Sequence, residues 1–120
     1  MGTVSNVLCG LVAFLHVWFL VLEMFLWTTP FAVKRFKRPL EEMVSSKTLA
    51  ANQGLYNGFL AAGLVWSISA GEPFGYSLKL FFLGCVLVAG LYGAATASRA
   101  ILFLQALPAA AALAVTLAAR

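Results

Sequence analysis

Four long apolar runs constrain this chain more than any other feature of its sequence. They cover residues 4–27, 48–70, 77–97 and 100–119. Each is close to the roughly 20 residues that a helix needs to cross a bilayer core of about 30 Å. Hydrophobic residues make up 62% of the chain and charged residues 10%, and the runs lack the two-residue alternation of barrel strands. The sequence therefore predicts an all-α integral membrane protein with four transmembrane helices.

The connections and charges of the chain predict how these helices are arranged. Short connections after the second and third helices favour antiparallel neighbours, so we expect one membrane domain, residues 1–120, folded as an antiparallel four-helix bundle. Six of the eight basic residues lie in the loop 28–47 or at Arg99, between helices three and four. By the positive-inside rule these segments are cytoplasmic. Both termini should then lie on the non-cytoplasmic side of the membrane, in a multi-pass topology.

The basic loop 28–47 also bears on possible partners. Phe31 and Phe36 alternate there with four lysines and arginines, a pattern that suits an anionic membrane surface. Because topology alone explains these charges, we expect membrane lipid and no nucleic acid as a partner.

Glu23 places a carboxylate inside the first apolar run. An ionised carboxylate in hydrocarbon is costly unless a partner or a proton relieves it. His16, the only histidine, lies seven residues earlier on the same helical face. We expect Glu23 to be a proton or cation site and His16 a secondary proton relay. The alternatives are that Glu23 reaches the headgroups or pairs with Lys47 or Arg99, and that His16 is a structural hydrogen-bonding residue or an axial haem ligand.

Polar side chains of several helices fall at one membrane depth. Counted from the cytoplasmic end of each helix at about 1.5 Å per residue, Glu23 and one polar residue on each other helix lie about 6–8 Å deep. The expected ligand or proton site adds Asn52, Gln53, Tyr56, Asn57, Tyr92 and Gln105. Polar groups facing lipid are costly, so these side chains should face inward. The side-chain amides of Asn52, Gln53 and Asn57 would orient a ligand, and Tyr56 and Tyr92 would form its walls. The alternative is that they only join helices to one another.

Small residues predict where helices pack closely. Gly54, Gly58 and Ala62 form a stripe on helix two, and Gly93 belongs to a similar stripe on helix three. Leu55, Phe59 and Trp66 should instead face lipid. The surplus of small faces suggests a homo-oligomer. The two cysteines match no metal or redox motif, so no metal and no cofactor is expected apart from the haem alternative at His16.

Two stretches carry a resemblance to a known family. Residues 22–30, LEMFLWTTP, and residues 49–58, LAANQGLYNG, resemble the signature segments of a bacterial membrane family catalogued as domain of unknown function 1304. The resemblance spans essentially the whole chain and implies a small four-helix membrane protein without an established activity. Small multidrug exporters are similar in size, helix count and the glutamate in helix one, although their other motifs are missing here.

These observations lead to one principal functional hypothesis and two alternatives. The principal hypothesis is an intramembrane polar pocket near the cytoplasmic leaflet that binds or transports a small lipophilic or cationic molecule, with proton coupling through Glu23. The first alternative is a membrane-embedded isomerase or hydrolase acting on a lipid-soluble substrate, for which the sequence supplies no nucleophile with its base. The second is a non-catalytic scaffold that binds partners through its small-residue stripes. Whether the protein is an enzyme stays open on the sequence.

Overall fold

A computed structural model describes residues 2–119, and regular structure in that range is helical. The elements are α1 (Gly2–Met24), α2 (Pro30–Phe36), α3 (Leu40–Ser45), α4 (Lys47–Ala70), α5 (Phe74–Thr96), a π-helical turn (Leu102–Ala106) and α6 (Leu107–Ala118). No strand occurs among the described residues. The predicted all-α class is confirmed, and the four predicted spans fall on α1, α4, α5 and the π-helical turn with α6.

Two of these helices, α1 and α5, are long and apolar enough to cross a membrane. Each has 23 residues, and only 28% of its most apolar window is buried. Helix α4 has 24 residues but does not meet the same apolar criterion, because polar side chains interrupt its first half. The last apolar segment, Leu102–Ala118, is shorter than 18 residues. The described residues thus contain two helices that meet the criteria for a membrane span, and the four-span bundle stays a prediction.

A π-helical turn interrupts the last helix directly before Pro108. The Leu107 N–H donates to the Leu102 carbonyl, five residues earlier. Proline has no N–H, and its ring would clash with the carbonyl four residues before it in a regular helix. A local widening of the helix relieves that clash. The sequence prediction of one uninterrupted helix over 100–119 misses this feature.

The described residues form two compact units. One contains the residues up to Leu15 together with those from Leu60 onward, and the other contains His16–Phe59. We call them the core unit and the Glu23 unit. The core unit has an apolar interior. Its buried residues are Cys9, Val12, Ala13, Ala61, Leu64, Leu83, Val86, Ala109 and Ala112.

In the Glu23 unit, the segment between α1 and α4 is folded rather than extended. The Thr29 hydroxyl donates to the Leu26 carbonyl (2.6 Å) and accepts from the Ala32 N–H (3.4 Å), which caps α2. The Trp27 indole N–H donates to Ser46 Oγ (3.0 Å) across the two short helices. These contacts give the predicted basic loop a defined structure, and its four clustered lysines and arginines are exposed.

Within the core unit, α5 lies close to the π-helical turn at Gly90. A Cβ atom at Gly90 would lie 2.7 Å from the backbone nitrogen of Ala106 and 2.9 Å from its Cα and Cβ. A Cβ atom at Gly84, on the same helix, would meet nothing within 4 Å. The two glycines thus form a matched pair for testing this packing.

Gly90→Ala is expected to destabilise the protein, because backbone atoms of Ala106 cannot move aside as a flexible side chain can. Overpacking of this kind costs about 1–3 kcal/mol. Gly84→Ala should instead leave stability unchanged or raise it by up to about 1 kcal/mol, the propensity difference between the two residues in a helix. Thermal unfolding of the purified variants in detergent, followed by circular dichroism, measures both. Equal melting temperatures for the two variants would contradict the close approach.

Candidate functional site

The Glu23 carboxylate is joined to an amide of α4. Asn57 Nδ2 donates a hydrogen bond to Glu23 Oε1 at 2.6 Å, between residues 34 positions apart. Asn57 is 7% exposed and Glu23 is half-buried. The described partner of this carboxylate is therefore a neutral amide, whereas Lys47, one of the cations considered for it, is exposed.

Two glycines of α4 allow this contact. A Cβ atom at Gly54 would lie 2.7 Å from Met24 Cγ, 3.1 Å from Glu23 Cβ and 3.2 Å from the Leu20 carbonyl oxygen. A Cβ atom at Gly58 would lie 2.7 Å from Leu20 Cδ1. Because both glycines lack side chains, the end of α1 lies against α4. Asn57, three residues after Gly54 and on the same helix face, reaches Glu23.

The other polar residues of α4 are exposed. The Asn52, Gln53 and Tyr56 side chains all face outward, and Tyr56 is 56% exposed. The Tyr56 ring lies edge-on to Phe59, with 5.9 Å between the centroids. Leu55, Phe59 and Trp66, the residues expected to face lipid, are exposed as well. Helix α4 thus presents polar and apolar side chains on its exposed surface.

The remaining predicted site residues have different surroundings. His16 is fully buried, and its ring lies edge-on to that of Phe19 at 5.1 Å. Tyr92 is 71% exposed, and Gln105 is half-buried within the π-helical turn. Tyr92 and Gln105 belong to the core unit, whereas His16 belongs to the Glu23 unit. The expectation of no cofactor, with haem ligation by His16 as its alternative, stays a prediction.

The other small residues predicted to lie at helix contacts differ in their burial. Gly93 lies against Ile101, where an added Cβ would approach Ile101 Cγ2 to 3.1 Å. Ala62 is exposed, and the neighbouring Ala61 is buried in its place. Cys9 and Cys85 are free thiols. Between residues 2 and 119, no group of three or more His, Cys, Asp or Glu side chains is placed to hold a metal ion.

A second polar cluster, in the core unit, was not identified from the sequence. Lys79 of α5 donates to Ser5 Oγ (3.1 Å) and to Asn6 Oδ1 (2.5 Å) near the start of α1. Ser5 Oγ also lies 2.6 Å from Thr116 Oγ1, near the end of α6. The signal was present, because Lys79 is a charge inside the third apolar run, as Glu23 is inside the first. In the count of basic residues, Lys79 is one of the two that lie outside the predicted cytoplasmic segments.

The fold and the Glu23–Asn57 pair define a small all-helical protein that has two helices of membrane-spanning length and composition and a carboxylate–amide contact near the end of α1. The chain belongs to the family described as "Protein of unknown function (DUF1304)", which matches residues 10–117. The family resemblance of the sequence is thereby confirmed. The matched range includes Glu23, Asn57 and Lys79, while Ser5 and Asn6 lie before it.

A curated relative aligns with most of this chain. The uncharacterized protein YpaA of Lactococcus lactis subsp. lactis (strain IL1403) is 31% identical over 107 residues, which cover 88% of this chain and 89% of that protein. No solved structure matches the chain.

Proposed function

We propose that this protein is a multi-pass protein of the bacterial inner membrane that binds a small lipophilic cation at Glu23 and exchanges it for a proton. The observation that carries the proposal is the Glu23–Asn57 hydrogen bond of 2.6 Å at the end of an apolar helix. An amide orients a carboxylate without neutralising it, whereas a lysine or arginine partner would supply a counter-charge. A carboxylate held in this way needs a proton or a cation from elsewhere.

The multi-pass topology is supported by helix lengths and by the basic loop. Helices α1 and α5 are long and apolar enough to span a membrane, and α4, with 24 residues, is long enough. The polar side chains that lower the apolarity of α4 include Asn57, which the site uses. The exposed lysines and arginines between α1 and α4 favour a cytoplasmic location for that segment.

A homo-oligomer would explain the exposed polar face of α4. Asn52 and Gln53 are exposed amides within the predicted second span, and amides facing lipid are costly. A second copy of the chain would cover them and supply further polar walls to the cation site. The scaffold alternative has less support, since Gly54 and Gly58 already pack against α1 of the same chain.

Transport tests the proposal in proteoliposomes with an acidic interior. Wild-type protein is expected to accumulate ethidium, a lipophilic cation, because each cation entering is exchanged for a proton leaving. Glu23→Gln should reduce uptake to that of protein-free vesicles, since glutamine binds neither a proton nor a cation in this role. Glu41→Gln, which removes an exposed carboxylate of α3, is the matched control and should transport normally. Ethidium uptake by Glu23→Gln at the wild-type level would contradict the proposal.

A further inference from the structure

Lys79 is a buried cation in the core unit. Its side chain is 4% exposed, and it lies five residues after the start of α5 at Phe74. Two of its three ammonium hydrogens are donated in the described contacts, to Ser5 Oγ and to Asn6 Oδ1. A hydroxyl and an amide oxygen are both neutral acceptors.

The directions of the hydrogen bonds around Lys79 follow from the number of hydrogens. Thr116 Oγ1 donates its single hydrogen to the Ala112 carbonyl at 2.8 Å. In the 2.6 Å contact between the two hydroxyls, Ser5 must therefore be the donor, and it accepts in turn from Lys79. The hydrogen bonds therefore run in one direction, from Lys79 to Ser5, from Ser5 to Thr116 and from Thr116 to the Ala112 carbonyl. The described groups of this series stabilise the ammonium by dipoles and carry no negative charge, and burying an ammonium among neutral groups is costly.

A cleft of about 300 Å³ opens beside this cluster. It is lined by Gly2, Ser5, Glu72, Tyr76, Lys79, Thr116 and Ala119. The volume is at the lower end of the range for small-molecule sites. Glu72 is the acidic residue of this lining and is exposed, whereas Lys79 is buried. The cleft is thus lined by a buried cation and an exposed carboxylate.

We propose that this cleft binds a phosphate-type oxyanion, with Lys79 as its counter-ion. The third ammonium hydrogen of Lys79 can be donated to a ligand oxygen, in a charge-assisted hydrogen bond. The exposed carboxylate of Glu72 in the same lining disfavours ligands of high negative charge. A phosphodiester monoanion, with a single negative charge, therefore suits this cleft better than a more highly charged anion. Such a group is present in phospholipid headgroups and in soluble phosphate esters. The cleft lies near the beginnings of α1 and α5 and the end of α6, the level at which helix ends meet headgroups in the proposed membrane topology.

Binding to two probes tests this site in purified, detergent-solubilised protein. The probes are short-chain phosphatidylglycerol and inorganic phosphate, titrated by microscale thermophoresis. Wild-type protein is expected to bind at least one of them saturably, and Lys79→Met should weaken that binding by about tenfold or more, as expected for loss of a hydrogen bond to a charged group. Lys47→Met removes an exposed lysine and should bind as the wild type does. Absence of saturable binding to both probes, or wild-type affinity in Lys79→Met, would overturn the proposal.

Glu72→Gln provides a second variant that does not disturb the buried cluster. Removal of the like charge should strengthen binding of either probe by about two- to tenfold. Weaker binding in this variant would place the anion elsewhere and overturn the proposal. Binding of phosphatidylglycerol alone would identify a lipid as the source of the anion, and binding of both probes would extend the site to soluble phosphate. The assay contains no cationic substrate, so its outcome is independent of the Glu23 proposal.

Discussion

Replacing Glu23 by glutamine is expected to abolish the binding of tetraphenylphosphonium to the purified protein. Glutamine retains a carbonyl oxygen that can accept the hydrogen bond from Asn57, so the packing of α1 on α4 should be preserved. The variant loses only the negative charge. At a separation of about 4 Å and an effective dielectric constant of about 20, the lost attraction is about 4 kcal/mol, close to a thousandfold in affinity. Isothermal titration of wild type and variant measures the difference.

The pH dependence of that affinity follows from competition between the cation and a proton for one carboxylate. The ionised form binds the cation and the protonated form does not, so affinity should fall as the pH is lowered. For a single competing proton the fall is at most about tenfold per pH unit. Glu41→Gln should retain both the affinity and its pH dependence. An affinity in Glu23→Gln that equals the wild-type value would contradict the assignment of the site.

Gly54→Leu is expected to separate the end of α1 from α4 and so to remove the Glu23 site without touching its charged group. An added Cβ already approaches Met24, Glu23 and the Leu20 carbonyl to between 2.7 and 3.2 Å, and a leucine side chain extends further into the same space. The cost should reach or exceed about 3 kcal/mol, the upper part of the range for overpacking. Asn57 would then no longer reach Glu23, and cation affinity should fall with stability.

Gly84→Leu is the matched control for this variant. It makes the same substitution in a long helix at a glycine whose added Cβ would meet nothing within 4 Å. Thermal unfolding and tetraphenylphosphonium titration on both variants separate a specific effect from a general one. Wild-type stability together with wild-type cation binding in Gly54→Leu would show that α1 and α4 do not approach as described.

The fold was largely predictable because apolar run length determines where long helices lie. The run 48–70 became α4, Lys47–Ala70, and the run 77–97 became α5, Phe74–Thr96. The π-helical turn was not predictable from length and composition, since Pro108 was its only indicator and many helices accommodate proline by a simple kink. The two short helices of the segment 28–47 depend on contacts such as that of Trp27 with Ser46. Contacts between residues this far apart in the chain cannot be predicted from the sequence pattern.

The depth count selected both Glu23 and Asn57 but did not predict that they pair. It placed Asn52 level with Glu23 and Asn57 five residues further along the helix, whereas the structure joins Glu23 to Asn57 by a hydrogen bond. Asn57 lies three residues after Gly54 and therefore on the same helix face, which packs on α1. Asn52 and Gln53 lie on other faces of α4 and are exposed. Depth fixes the position along a helix axis, whereas the face that is buried depends on the neighbouring helix.

The Lys79 cluster shows a second limit of sequence reasoning. The cluster joins Ser5 to Thr116, which lie 111 positions apart in the sequence, with Lys79 between them. None of the three residues belongs to a recognised motif. A lysine near the end of an apolar run is most simply explained by topology. Only the contacts of α1, α5 and α6 show that this lysine is buried beside a cleft.

Proton release on cation binding tests the central claim most directly. Tetraphenylphosphonium is added to purified protein in weakly buffered solution, and the released protons are counted with a pH indicator over a series of starting pH values. If Glu23 exchanges a proton for a cation, wild-type protein should release up to about one proton per bound cation, with the largest release at pH values where the carboxyl group is protonated beforehand. Glu41→Gln should release the same amount, and Glu23→Gln should release none. Cation binding without proton release at every starting pH, or equal release from Glu23→Gln, would contradict the account.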